Sequence, residues 1–242
     1  MHVMKNPNSL RAADLKKIFA VFGHFYQISL GEEPVDCRSI LELIAHDIMP
    51  DDPNKLANSQ PDLLIVMMNP GSSRPLDRTY QPRLVTNWQE IAQTREWVAT
   101  RPDNTQYQIM RIMLALGFKH GRVLNLSDLR EPKSPVLFKK IATLDGVPGG
   151  GVHSIFCPER QDEFKKISGG DGGKKRPVLV GWGRSGALIP LAKQALERLD
   201  GFSIHGKAID AENILFAHPS PMLQRMKEQW VNMILAQMAE IK

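Results

Sequence analysis

The sequence predicts an α/β fold in which a mostly parallel central sheet carries helices on both of its faces. The clearest sign is the segment 62–68, which is continuously apolar after its first residue and is typical of a strand buried on both faces. Three more short apolar segments, at 122–126, 177–183 and 213–217, are separated by stretches with helical spacing. Strands that alternate with helices in this way indicate a three-layer α/β architecture.

Residues 1–60 are predicted to form an N-terminal helical segment. Within 10–30, apolar side chains recur at helical intervals and predict a first helix. The residues that set this spacing are Leu15, Ile18, Phe19 and Phe22. A second helix is predicted over 40–48, and it ends before Pro50 because proline breaks a helix.

Four further helices are predicted at 87–99, 105–116, 187–199 and about 222–241. Gly117 follows the second of these, where glycine commonly terminates a helix. The region 145–177 is the least regular part of the sequence, because glycines interrupt it repeatedly. We expect a mobile glycine-rich excursion there, with a short helix near 159–167, within a single α/β domain that spans 1–242.

Composition and cysteine content exclude several classes of protein. Of the 242 residues, 42% are hydrophobic and 24% are charged, as in ordinary globular proteins. Two cysteines exclude any metal or iron–sulfur site that needs four cysteines of one chain. The longest apolar run, Leu63 to Met68, is far shorter than the roughly 20 residues of a membrane helix. We expect a soluble, cytoplasmic monomer with no membrane contact and no metal or organic cofactor.

The charge balance permits a polyanionic partner. Lysine and arginine together number 31, aspartate and glutamate 26, and the net charge is +5. An excess of this size allows nucleic-acid binding. It is equally typical of a mildly basic surface that binds no polyanion.

Three polar segments follow predicted strands, at the place where open α/β sheets bind ligands. They are 69–73, 125–128 and 218–221. Asparagine, aspartate, proline, glycine and serine are common in these segments, and the same residues dominate ordinary turns. Each segment by itself therefore fits a turn as well as a binding loop.

The order of the segments resembles that of the uracil-DNA glycosylase superfamily. The motifs that carry the resemblance are Asn69-Pro70-Gly71-Ser72-Ser73, Val123-Leu124-Asn125, Val178-Leu179-Val180-Gly181-Trp182-Gly183 and His218-Pro219-Ser220-Pro221. The first resembles a motif of the mismatch-specific branch, and the last resembles a motif of the uracil-specific branch. The likeness spans about residues 60–225 and implies a three-layer, uracil-DNA glycosylase-like fold.

Within that superfamily, the sequence is most similar to a family of uncharacterised bacterial and phage proteins, a domain of unknown function. The stretch that carries this likeness begins at Asp103-Asn104-Thr105, continues through Gly117 and ends at Asn125-Leu126.

The resemblance implies a hydrolase that cuts the bond between a nucleobase and its sugar, in DNA or in a free nucleotide. Such a reaction forms an oxocarbenium-like sugar and an anionic base, so the site must place a water and stabilise charge on the base. We expect Asn69 to orient the water through its side-chain oxygen and His218 to donate a hydrogen bond to the leaving base. Asn125 carries both a donor and an acceptor and can pair with a uracil-like edge.

Two more residues are expected to bind the base. Tyr80 is the nearest aromatic residue after the first loop and is predicted to stack on the ring, with Trp88 as the second choice. Either ring fits a core or surface position equally well. Gly71 stands where the uracil-specific branch has a bulky aromatic residue, and it leaves the pocket open to 5-substituted pyrimidines.

The remaining predicted contacts are to DNA. Ser72, Ser73 and Ser220 are expected to bind phosphate. Met222 stands where the uracil-specific branch places an apolar wedge that fills the gap left by a flipped base. Packing within the following helix is the alternative role for Met222. All these roles require the loops at 69 and 218 to meet in a cleft sized for a pyrimidine ring.

Two functions stay open at this point. One is a DNA glycosylase-like hydrolase, which Asn69 and His218 favour. The other is a non-catalytic module that binds a nucleobase or nucleic acid on the same fold, which is favoured because the uracil-specific branch has an acidic residue where Asn69 stands. Residues 181–186 also match a dinucleotide-binding fingerprint, but the next predicted strand ends in Gly206-Lys207 and not in the acidic residue that this motif requires.

Overall fold

One mixed sheet of eight strands lies at the centre of the described chain. The computed structural model describes residues 6–30, 33–93, 95–147, 149–169 and 176–239. The strands are β1 (Phe19–Leu30), β2 (Glu33–Ala45), β3 (Leu63–Met67), β4 (Arg83–Val85), β5 (Val98–Ala99), β6 (His120–Asn125), β7 (Pro177–Gly181) and β8 (Ser203–His205). Their spatial order is β4-β1-β2-β6-β3-β7-β8, and β5 also pairs with β1. Strands β6, β3, β7 and β8 run parallel, whereas β2 is antiparallel to its neighbours β1 and β6.

Helices cover both faces of this sheet, as the alternation in the sequence predicts. They are α1 (Ala12–Ile18), α2 (Trp88–Gln93), α3 (Asn104–Leu116), α4 (Ser134–Asp145), α5 (Gln161–Ser168), α6 (Ile189–Arg198) and α7 (Gln224–Gln237). Helices α1, α3 and α7 pack on one face, and α4, α5 and α6 pack on the other. The predicted α/β class with a mostly parallel sheet between two helical layers is confirmed. In the part of the chain that the structure describes, no helix has both the length and the apolar character needed to cross a membrane.

The elements that position the site follow the sequence pattern closely. Strand β3 lies within the predicted segment 62–68, and all five of its residues are buried. Helix α3 matches the predicted helix and ends at Gly117, whose φ of +75° requires the left-handed conformation that glycine adopts easily. The helix predicted over 87–99 is shorter than expected, because α2 ends at Gln93 and β5 follows.

Two long strands occupy the N-terminal segment, and the prediction of two helices there is wrong apart from the short α1. Strands β1 and β2 form an antiparallel hairpin, and β2 extends the sheet beside β6. Both faces of β1 are apolar, because Phe19 and Val21 pack on one side of the sheet and Phe22 on the other. A strand buried on both faces lacks the two-residue alternation that distinguishes it from a helix.

The segment 213–217 is not a regular strand, although Ile214, Leu215 and Phe216 are buried. Phe216 alone pairs, in isolated antiparallel bridges with Gly183 and Ala208. Asn213 has a left-handed backbone with a φ of +53°. The Asp210 carboxylate accepts the backbone N–H groups of Ile214 and Leu215. A side chain that takes these amide hydrogens competes with strand pairing, so the segment forms a loop.

The glycine-rich region contributes to the core in its described part, and the mobility predicted for it stays a prediction. A short helix was predicted near 159–167, and α5 confirms it. Phe156 and Phe164 are buried on the face of the sheet that α4 and α6 cover. Residue 148 and residues 170–175 belong to the same predicted region and lie outside the described residues.

A buried ion pair joins the glycine-rich region to the sheet. The guanidinium of Arg160 is fully buried and donates to Asp128 at 2.7 Å and to Glu163 at 2.7 Å. Tyr26 donates its hydroxyl to the same oxygen of Asp128 at 2.8 Å. Burial raises the pKa of Asp128, and the charge of Arg160 opposes this rise. The pair therefore fixes the chain directly after β6.

Replacement of Arg160 tests this role. Arg160→Met should lower the free energy of unfolding by about 3–5 kcal/mol, because it leaves the buried carboxylate of Asp128 without its counter-charge and leaves Glu163 with Arg95 as its one remaining cationic partner among the described residues. Urea denaturation measures the change. Arg184 is an exposed arginine and a matched control, and Arg184→Met should change the same free energy by less than about 0.5 kcal/mol. An equal loss in both variants would contradict the role given to the ion pair.

Candidate functional site

A small cavity lies at the carboxyl ends of β3 and β6, where the sequence predicts a binding site. It has a volume of about 40 Å³. The polar side chains around it include Arg38, Asn69, Asp103, Asn125 and His218. The loops that carry Asn69 and His218 are far apart in the sequence, and the fold brings them to one cavity.

The amide of Asn69 is held by two backbone carbonyls. Its Nδ2 donates to the carbonyl of Leu129 at 2.9 Å and to that of Glu131 at 2.8 Å. Both partners are acceptors, so the orientation of the amide is determined. Its Oδ1 receives no hydrogen bond within the described residues and can accept one from a water in the cavity.

Asn125 ends β6 and is fully buried, yet its side chain has no hydrogen-bond partner in the described chain. Neither its Nδ2 nor its Oδ1 is paired there. Buried polar groups are nearly always hydrogen-bonded, so an unpartnered amide that lines a cavity indicates a place for water or a ligand. A donor beside an acceptor complements the edge of a uracil-like ring.

The hydrogen-bonding state of His218 is fixed by its own loop. The backbone N–H of Ser220 donates to Nδ1 of the imidazole at 3.2 Å. A backbone amide only donates, so Nδ1 carries no proton and the neutral ring has its hydrogen on Nε2. Burial lowers the pKa of His218, against the opposing effect of the Asp103 carboxylate. At neutral pH the ring is therefore a neutral hydrogen-bond donor through Nε2.

The end of β7 holds the loop that carries this histidine. Trp182 is fully buried, donates its Nε1–H to the carbonyl of Ile214 at 2.9 Å and packs edge-on against Phe216. Gly181 lets Pro219 approach the strand, because a Cβ at position 181 would lie 3.0 Å from Pro219 Cδ. The Trp-Gly sequence thus has a packing role that sets the position of the loop.

Arg38 lines the cavity and was missed in the sequence analysis. Ser39 is an extra residue of β2 relative to β1, which makes a β-bulge. A bulge changes which side of the sheet the neighbouring side chains face. Cys37 and Ile40 therefore both pack on the α4 side, and Arg38 reaches the cavity on the α3 side. No sequence pattern marks the position of such a bulge.

Among the described residues, Asp103 is the one carboxylate in the lining, and the sequence analysis noted it only as part of a motif. It caps α3, because its Oδ1 accepts the backbone N–H groups of Thr105 at 2.7 Å and Gln106 at 3.1 Å. Its Oδ2 forms no hydrogen bond within the described part of the chain. A carboxylate oxygen without a hydrogen bond in the described chain thus lies in the cavity lining at the N-terminus of α3.

Two of the predicted base-binding residues do not line the cavity. Gly71 has a φ of +57° in a turn closed by the hydrogen bond from Ser73 N–H to the Pro70 carbonyl. This conformation favours glycine whatever the function. Tyr80 points its hydroxyl to Glu96, at 3.4 Å. The base contacts predicted for Gly71 and Tyr80 stay predictions.

The residues predicted to bind DNA also lie outside the cavity lining. Ser72 is exposed, and Ser73 is buried with a hydroxyl that has no partner among the described residues. Ser220 is half-buried beside the histidine that its backbone contacts. Met222 is 97% exposed on the loop before α7. Trp88, the second choice for stacking, packs on the far side of the sheet with α4 and α6.

The cavity is smaller than the pyrimidine-sized cleft that the sequence analysis expected. A water molecule needs about 10–15 Å³ of such space, so about three waters fill the cavity. A pyrimidine base has more heavy atoms than three water molecules, so the cavity in this conformation is too small for a whole base. The polar edge of a base fits first, and full entry requires some of the lining side chains to move outward.

A larger basic groove lies next to the cavity. It has a volume of about 540 Å³, and its lining includes the exposed side chains of Lys16, Arg74, Arg78 and Arg101. The backbone of Arg101 is hydrogen-bonded to that of Arg74, and Asp103 of the cavity follows two residues later. The groove and the cavity therefore share one stretch of chain. The groove runs from Arg101 and Pro102, directly before Asp103 of the cavity, towards Lys16 and the start of β1.

Comparisons with known proteins gave no significant match, whether with protein-family models, with curated proteins or with solved structures. The resemblance described above therefore rests on the motifs alone.

Replacement of Asn69 by aspartate tests how the amide is held. Asn69→Asp should lower the free energy of unfolding by about 1–3 kcal/mol at pH 7, because a carboxylate cannot donate to the two carbonyls. The loss should shrink as the pH falls towards 4, where the introduced carboxyl gains a proton and a donor. Urea denaturation at several pH values measures both effects. Asn58→Asp, at an exposed asparagine, is the matched control, and an equal loss there would contradict the assignment.

Proposed function

We propose that the protein is a uracil-DNA glycosylase-like hydrolase that cuts the N-glycosidic bond of a uracil-like base in DNA. The observation that carries the proposal is the fully buried amide of Asn125, unpartnered within the described chain, in a cavity shared with Asn69 and His218. Such an amide is complementary to the alternating carbonyl and N–H groups of a uracil-like edge. The motif resemblance supplies the class of reaction.

The proposed reaction proceeds through departure of the base as an anion. The bond between the sugar C1′ and the base nitrogen breaks, and its electron pair leaves with the base. The Nε2–H of His218 donates to a base oxygen on which negative charge develops. Asn69 Oδ1 orients a water towards C1′, and the carboxylate of Asp103 accepts the proton that the water releases.

The basic groove supports DNA as the partner. Arginine and lysine side chains bind phosphates, and a groove lined by such residues next to the cavity suits a polynucleotide chain. Met222 is almost fully exposed, which suits the wedge role that the resemblance implies. We further propose that the protein is a monomer and that it acts in the cytoplasm.

Base release from defined duplexes tests the proposal. Duplexes with uracil, with hypoxanthine or with a thymine mismatch are incubated with the protein, and strand scission after alkaline treatment reports base loss. We expect release from at least one duplex, and His218→Ala should slow it by roughly a hundredfold to a thousandfold. Because burial lowers the pKa of His218, release should persist below pH 6.5. It should fall only as the ring becomes protonated at lower pH, because a proton on Nδ1 breaks the hydrogen bond from Ser220 that positions the ring.

His205→Ala is the matched control, because His205 is also half-buried but lies outside the cavity lining. It should leave the rate unchanged. Unchanged release by His218→Ala would reject the role given to that histidine. If no duplex loses a base but DNA still binds with a steep salt dependence, the protein is a binding module on the same fold.

Replacement of the three groove arginines tests whether DNA binds in the basic groove. The triple variant Arg74→Ala, Arg78→Ala and Arg101→Ala should weaken DNA binding and reduce the slope of log K against log salt by about 1 for each phosphate that these side chains neutralise. Fluorescence anisotropy with a labelled duplex at several salt concentrations measures both.

The control removes the same charge from helices that do not border the groove. It combines Lys139→Ala, Lys165→Ala and Lys193→Ala, three exposed lysines on α4, α5 and α6. An equal change of slope in both triple variants would show that net charge, and not the groove, binds the DNA.

A further inference from the structure

Arg38 is a buried charge that has no partner among the described residues. Its side chain is 2% exposed, and its Nε and Nη1 atoms form no hydrogen bond there. The guanidinium forms no ion pair within the described chain either, and Asp103 and Asp128 favour its charged form only from a greater distance. An unpaired charge removed from water is among the most unfavourable arrangements in a protein.

The other fully buried arginines of the described chain are well paired. Arg122 donates to Glu42 at 2.6 Å and to the carbonyls of Leu56 and Ile167. Arg160 has two carboxylate partners, as described above. Both guanidinium groups thus have carboxylate and carbonyl partners within the fold. Arg38 differs from both because it lines the cavity.

The position of Arg38 is firmly set. The β-bulge at Ser39 directs the side chain to the cavity side of the sheet, and the backbone N–H of Arg38 donates to the Asp128 carbonyl at 2.8 Å. Burial lowers the pKa of Arg38 to about 10, so the group still carries its charge at neutral pH. A fixed positive charge thus lies in the lining of a cavity that holds only a few water molecules.

We propose that Arg38 is a catalytic residue that stabilises the negative charge of the departing base. This inference rests on the proposed function. In the intact substrate the base is neutral and offers the guanidinium only dipoles. When the C1′–N bond breaks, its electron pair moves onto the base, and the full charge can pair with Arg38. The interaction is thus stronger in the transition state than in the ground state, which is the condition for catalysis.

With this role for Arg38, each of these polar cavity residues has a stated part in the proposed reaction. The neutral His218 supplies a directed hydrogen bond but no charge, and Asn125 reads the donor and acceptor edge of the ring. Arg38 supplies the positive charge. Asn69 and Asp103 act on the water, which gives its oxygen to C1′ and its proton to the carboxylate. The substrate class that benefits most is a base whose ring forms a stable anion, as uracil-like pyrimidines do.

Two substitutions of Arg38 and a pair of free bases test the inference. The bases are uracil, which is neutral at pH 7, and 5-nitrouracil, which is anionic there, and calorimetry measures their binding. The wild type should bind the anionic base at least about tenfold more tightly. Arg38→Met should abolish this preference with uracil affinity changed less than about twofold, and Arg38→Lys should restore part of it.

The same variants are measured for base release from the preferred duplex under single-turnover conditions. Arg38→Met should be slower by roughly a hundredfold to a thousandfold, and Arg38→Lys should lie between it and the wild type. The unfolding midpoint of Arg38→Met should rise by about 2–4 °C, because the substitution removes an unpaired buried charge. Arg111→Met, at a half-buried arginine of α3 with hydrogen-bond partners outside the cavity, should keep both the rate and the preference.

Three results would overturn the inference. Release at the wild-type rate by Arg38→Met would remove the catalytic role and leave the proposed function intact. Absence of release from every duplex by the wild type would reject the proposed function, and the catalytic role with it. Competition of inorganic phosphate with 5-nitrouracil, abolished in Arg38→Met, would assign the residue to a permanent anion of the ligand and not to a leaving base.

Discussion

The buried ion pair between Arg160 and Asp128 fixes the segment that follows β6, and the candidate site is built on this segment. The Asp128 carbonyl accepts the backbone N–H of Arg38, and the next carbonyl, of Leu129, accepts the amide of Asn69. A shift of this segment would therefore move two lining residues together. The ion pair links the glycine-rich region to the cavity, although no described residue of that region lines it.

The cavity brings together polar groups that the rest of the described chain leaves without partners. Arg38 and Asn125 are both buried with side-chain atoms that form no hydrogen bond there, although their backbones pair with neighbouring strands. Proteins tolerate such groups chiefly where function requires them, because each one lowers stability. A ligand that supplies an acceptor to the arginine and a complementary edge to the amide would satisfy both at once. Under the proposed function, the unpaired groups of the cavity specify the ligand more closely than the shape of the cavity does.

The sequence predicted a strand or helix correctly where one short segment contains all the residues that define the element. The continuous apolar run of β3 and the capped, periodic α3 predict both elements that border the cavity, and Gly117 marks the end of the helix. The prediction for the N-terminal hairpin was wrong for a physical reason. Apolar residues on both faces of β1 remove the alternation of a strand, and helical spacing can be found in any sufficiently apolar stretch. The prediction of a strand at 213–217 failed because the Asp210 side chain takes the amide hydrogens that a strand would use.

By itself, the sequence determined the α/β class and the buried strands β3 and β6 with the polar loops that follow them, because these features depend on neighbouring residues in the chain. The order of the motifs along the chain added Asn69, Asn125 and His218 as candidates. Only the tertiary structure decided which candidates meet. It gathered those three and left Gly71 and Tyr80 outside the lining. It also added Arg38 and Asp103. In the local sequence Arg38 is an ordinary strand residue, and Asp103 is an ordinary helix cap. A β-bulge and the pairing of a buried charge depend on contacts between distant segments, and such contacts leave no periodic signal in the chain.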